Sequence, residues 1–80
     1  DSVACRQAMS DAVLDLRNRF RNALLLAQEQ GTVRDDISAA ELADLLLNAW
    51  EGSIICMKID RSVKPLKQFI KLIVDDYLRP

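Results

Sequence analysis

There is no histidine anywhere in these 80 residues. That absence removes the commonest general base and the commonest metal ligand together. It also removes the Glu-x-x-His pattern that builds carboxylate metal sites inside helix bundles. Glycine and proline occur twice each, so no glycine-rich phosphate loop is available and long stretches run without a breaker. No apolar run approaches the roughly 20 residues that a membrane span requires, and no secretory signal is visible. A soluble, cytoplasmic chain with no membrane partner is expected. A basic excess is missing too: 11 Lys and Arg stand against 12 Asp and Glu, for a net charge of −1, which gives no footprint for a polyanion such as DNA. The two cysteines, Cys5 and Cys56, lack framework spacing and point to a reducing compartment. No catalytic residue, metal or cofactor is expected, and the chain does not read as an enzyme.

What is present is a helical pattern. Half of the residues are hydrophobic and 29% are charged, a globular balance. A chain of this length buries only about 60% of the surface its unfolded form exposes, so a partner is expected to complete it. The chain starts at Asp1 rather than Met and reads as a piece of something longer.

From about residue 3 to 30, Cys5, Met9, Val13, Leu16, Phe20, Leu24 and Ala27 recur in steps of three or four, one stripe of an amphipathic helix. Gly31 stands where a left-handed C-terminal cap belongs, with Val33 as its apolar contact. Ser38 and Glu41 form a capping-box pattern that opens a second helix over about 39–59. Ser62 and Pro65 punctuate the start of a third, over about 63–78. The fold class is therefore all-α: three antiparallel helices in one domain spanning 1–80.

The second helix is apolar on nearly every side. Projected at about 100° per residue, Ala43, Leu46, Leu47, Trp50, Ile54 and Met57 form a bulky flank. Leu42, Leu45, Ala49, Gly52, Ser53 and Cys56 form an opposite flank of mostly small residues. A helix this apolar must be covered on both flanks. The favoured reading puts the bulky flank in the chain's own core and sets Leu45, Ala49, Gly52, Ser53 and Cys56 against a second copy; the alternative is that Gly52 admits another helix of the same chain. Leu66, Phe69, Ile70, Ile73 and Tyr77 make one stripe on the third helix, and Leu72, Val74 and Leu78 broaden it past what one core contact needs. Leu66, Ile70, Ile73 and Tyr77 join the expected dimer interface.

Several other features carry less. Lys64, Lys67 and Lys71 could meet Asp44 or Glu51 of a partner helix, or simply face water. Arg17, Arg19 and Arg21 share their helix with Asp11 and Asp15 and read as solvated surface. Cys5 and Cys56 sit too far apart along antiparallel helices for a disulfide and read as buried free thiols. Asp35/Asp36 and Asp75/Asp76 are sequence neighbours whose side chains diverge, which is poor geometry for a dyad.

The segments "AQEQGTVRDDIS" and "AAELADLLLNAWEGSIICMKIDRSVKPLKQFIKLIVDDYL" carry a family resemblance. The order Ala27, Gly31, Val33, Arg34, Asp36, then Trp50, Glu51 and Gly52, resembles the C-terminal half of TetR/AcrR-type transcriptional regulators. The resemblance implies a dimerisation and ligand-sensing domain, whose last two helices form a four-helix bundle with those of a second copy. It implies operator binding only through an N-terminal helix-turn-helix domain that this sequence does not contain, and a regulator that is a repressor. Met9, Phe20, Leu24, Trp50 and Met57 become candidate pocket residues, suited to a small apolar effector. The competing expectation is a freestanding helical interaction module that captures a partner helix on the small-residue flank.

Overall fold

A computed structural model describes residues 2–80, so Asp1 lies outside the described residues. The chain folds as α1 (Ser2–Glu29), α2 (Ala39–Asp60) and α3 (Lys64–Phe69), the last running straight on into a wider-wound segment, Ile70–Tyr77. There is no strand among the described residues. The expected spans agree to within one or two residues at each end, the usual fraying of helix boundaries.

Local chemistry accounts for the ends. Gly31 has φ 76°, and around it the Gly31 amide donates to Gln28 O while the Thr32 amide donates to Ala27 O. This paired geometry is the Schellman motif that a left-handed glycine permits. Ser38 Oγ accepts from the Glu41 amide at 3.2 Å, which satisfies one orphan donor of α2. Only the serine half of the expected capping box is made. At the far end Arg61 takes the left-handed role at φ 51°, and the amides of Arg61 and Ser62 both donate to Met57 O. Ser62 Oγ then accepts from the Lys64 amide, and Pro65 sits in the first turn of α3, where a missing N–H costs nothing.

α2 is the middle element, with α1 packed along one side and α3 along the other; α1 and α3 hardly touch. Leu24 of α1 packs with Ala39, Leu42 and Ala43 at the start of α2, and Phe20 meets Trp50 further along, ring edge to ring face at 6.4 Å. The two helices therefore run in opposite directions.

Leu78, just past the wide segment, closes the same cluster, with Phe20, Val33, Ile37 and Leu46 around it. Leu42 is 1% exposed, which corrects its placement on the outward flank. At the start of α2, both α1 and the end of the third helix close over the helix, so both flanks are core there. On the third helix Ile70 and Tyr77 turn outward, and Leu78, which broadens the stripe, takes the inward position at 6% exposure.

The whole is flattened, 44 × 29 × 14 Å. Its long axis matches α1, since 28 residues at 1.5 Å each give about 42 Å. From Ser2 to Ala12 every residue of α1 is exposed.

Candidate functional site

Two hollows stand out on the surface of the described residues. The first is an open, mainly apolar groove of about 310 Å³ between α2 and the third helix. Ala49, Gly52, Ser53 and Cys56 form one wall; Pro65, Gln68, Phe69, Leu72 and Ile73 form the other. The small residues recur at helical spacing, so they share one face and leave the groove floor low. Ser53 stays compatible with that surface because its hydroxyl donates back to Ala49 O at 2.8 Å, an i−4 bond that satisfies its proton within the helix. A Cβ placed on Gly52 would meet nothing within 4 Å. Nothing of the same chain comes into van der Waals contact with that position, although the third helix forms the groove's other wall.

The second borders a charged clasp at the opposite end of the third helix. Arg34, in the α1–α2 loop, holds Asp36 in a fork: Nε donates to Oδ1 at 2.7 Å and Nη2 to Oδ2 at 2.6 Å. The guanidinium lies over the Tyr77 ring, 4.6 Å from its centroid, and Nη1 donates to Tyr77 O at 3.3 Å. The Arg34 amide donates to Leu78 O. Gln28 completes the clasp from α1, its Nε2 donating to Arg34 O and to Ile37 O. Bidentate, charge-assisted bonds of this kind are about twice as strong as neutral ones. The side-chain bond from Arg34 is the main cause holding the Asp36 carboxyl below its ordinary value, and the reciprocal bond raises Arg34. The hollow beside the clasp is open, about 620 Å³, and Asp76, Arg79 and Pro80 also line it.

The expected interface residues divide between groove and rim. Ala49, Gly52, Ser53, Cys56 and Ile73 line the groove. Leu45, Ile70 and Tyr77 are exposed outside it, and Leu66 is half-buried. Of the candidate pocket residues, Phe20 and Trp50 are brought together, Leu24 is part of the core and Met57 is half-buried. Met9 stands apart at 64% exposure. Neither shaped region contains any of these five.

Both cysteines are free, but exposed rather than buried: Cys56 because it borders the open groove, Cys5 because its stretch of α1 is uncovered. Asp44 pairs within the chain, 2.8 Å from Arg17 Nε. Arg19 pairs with Asp15 on the surface of α1. The clasp is not visible as a unit in the sequence. Arg34 and Asp36 were legible as a turn signature, but Gln28 and the third-helix carbonyls join them only in three dimensions. No cluster of three or more Cys, Asp or Glu side chains is placed to hold a metal among the described residues.

An all-helical unit with a Schellman-capped long helix, an Arg–Asp turn and a small-residue flank defines the class. The family model described as "Tetracyclin repressor-like, C-terminal domain" matches residues 2–73. The chain belongs to that family. A similar protein is the HTH-type transcriptional repressor DhaR of Mycobacterium sp. (strain GP1), 37% identical over 59 residues, which are 74% of this chain and 30% of the relative. The chain thus spans about a third of that relative's length. No solved structure matches significantly.

Proposed function

We propose that this chain is the dimerisation module, and part of the ligand-sensing domain, of a TetR-like transcriptional repressor that acts in the cytoplasm. The observation that carries the reading is Gly52: a glycine in mid-helix costs about 1 kcal/mol, and within this chain nothing uses the space it leaves. A second copy pressing its own α2 and third helix onto the groove would use it. The two-fold symmetry of such a contact suits a patch that pairs with itself.

Surface area supports the same reading. The chain exposes 5919 Å², whereas a compact monomer of 9.0 kDa exposes roughly 4,850 Å². The excess, on the order of 1,000 Å², is close to the roughly 800 Å² that each partner contributes to a standard interface. The radius of gyration of 14.3 Å, against about 12 Å for a compact domain of this length, says the same of shape.

In this reading operator DNA is bound by a helix-turn-helix domain outside this segment. The edge-to-face pair Phe20 and Trp50, with the half-buried Met57, would contribute to a site for a small apolar effector; Leu24 lies in the core and Met9 stands apart from it. No catalysis is assigned. Sedimentation equilibrium over a concentration series tests the reading. A tight dimer supports it, and a stable monomer at every concentration overturns the dimerisation role. A monomer that captures helical peptides on the groove would favour a freestanding interaction module.

A further inference from the structure

The inward positions of the third helix are Leu66, Phe69, Ile73 and Leu78, and their spacing grows from three to four to five. A five-residue step is what i→i+5 winding produces, and the Leu78 amide does donate to Ile73 O, at 3.0 Å. Wide winding over Ile70–Tyr77 is rare, and it is found mostly at sites where a helix has functional work. Ordinary α-winding from Ile73 would put Tyr77, four residues on, where Leu78 now sits. Both side chains are large and largely apolar, so either can fill the place.

What selects Leu78 is the clasp. Arg34 binds the Leu78 and Tyr77 carbonyls and lies over the Tyr77 ring, and that ring is reachable only while Tyr77 is outside at 37% exposure. We propose that the third helix is a two-register element: wide winding seats Leu78 in the core, α-winding seats Tyr77 there instead, and the Arg34 clasp holds the first. The switch stands independently of the dimer reading. If that reading also holds, the register sets which side chains beyond Ile73 face the second copy.

Tyr77 is the sole tyrosine, so 3-fluorotyrosine incorporated into the intact chain gives one fluorine resonance that reports the ring's environment. Arg34→Met keeps the aliphatic stem and removes the fork; Leu78→Ala empties the seat. Arg34→Met is expected to raise the fraction of solvent-shielded ring about tenfold, the factor carried by about 1.4 kcal/mol of lost hydrogen bonding, and Leu78→Ala to raise it at least as much by removing the side chain that competes for the seat. Spectra are taken at two concentrations, one below and one above self-association. Shielding that responds to the variants at both reports the register. Shielding that follows concentration alone reports a second copy covering Tyr77, and overturns the switch while leaving the dimer intact. A ring that stays solvent-exposed in both variants, with helical circular dichroism retained, overturns it too. So does an Arg34→Met chain that loses its helix, since the clasp would then hold the fold rather than a register.

Discussion

The two ends of α2 differ in how they are closed. At the N-terminal end Ala39, Leu42 and Ala43 sit beneath Leu24 and Leu78, and Gln28 and Arg34 tie the loop across them with bonds from three elements. At the C-terminal end Ile55 and Ile59 are exposed, Ile59 to 75%, and Val63 beyond them is exposed as well. Among the described residues the core holds four large apolar side chains, Leu24, Leu42, Leu47 and Leu78, while thirteen others remain exposed. Hydrophobicity alone does not distinguish the two ends. The closed end has cross-links that fix which apolar side chains meet; the open end offers an apolar surface and no cross-link from its own chain.

The strongest way to break this contrast is a pair of truncations. Leu42→Ala, in the closed end, is expected to cost about 2–5 kcal/mol through lost burial and the cavity left behind. Ile59→Ala is expected to stay within about 0.5 kcal/mol. Urea unfolding at low protein concentration measures both. Equal costs would mean the open end is as well packed as the closed one.

Gly52 sharpens the comparison from the other side. Since a Cβ there meets nothing, Gly52→Ala is expected to stabilise the isolated chain by roughly 0.5–1 kcal/mol, the helix-propensity difference. Gly52→Leu keeps the chain folded but overpacks a close contact with a second copy. Its dimer dissociation constant should rise about 5–150-fold, as an overpacking cost of about 1–3 kcal/mol implies. Equal dimer affinity in the wild type and Gly52→Leu would place the interface elsewhere.

Much of this fold was legible in the sequence because its punctuation is chemical and local. Gly31, Ser38, Ser62 and Pro65 each act within a few residues, and each marks an end the structure confirms. The third-helix face was legible in outline, but not which residue takes its last inward place. A 3.6-residue period assumes α-winding, and the widening after Phe69 rotates Tyr77 out and Leu78 in. The flank assignment of Leu42 failed for a related reason. A wheel projection treats a helix as uniform along its length, whereas the end of the third helix returns over the start of α2 alone. Of the candidate site, the small-residue wall was readable from spacing. The opposing wall and the Gln28–Arg34 clasp depend on contacts between distant segments.

The clasp also gives the closed end a pH dependence of its own. Asp36 is held below its ordinary value by its bond to Arg34, so the native state favours the carboxylate. Its stabilisation is fully present above the unfolded value of about 3.9. It is lost as pH falls through the lower native value. Asp36→Asn should therefore lower the urea midpoint at neutral pH, and its deficit against the wild type should narrow as pH falls below about 4. A deficit that is constant down to pH 2 would mean the pair contributes no ionic stabilisation.

The smallest expected effect lies on the seam between the two ends, at Arg17 and Asp44. Their atoms are 2.8 Å apart, but Arg17 Nε makes no well-aligned hydrogen bond, and the side chains are 44% and 57% exposed. Distance without alignment, at an exposed site, gives little: pairs of this kind couple by about 0.2–1 kcal/mol and weaken with salt. A double-mutant cycle of Arg17→Met and Asp44→Asn at low and high salt measures that coupling. A value within this range leaves Leu24 and Leu42 as what holds α1 to α2. A coupling well above 1 kcal/mol that survives high salt would extend the polar cross-linking of the closed end along the seam toward Trp50, and the boundary between the two ends would have to be drawn beyond it.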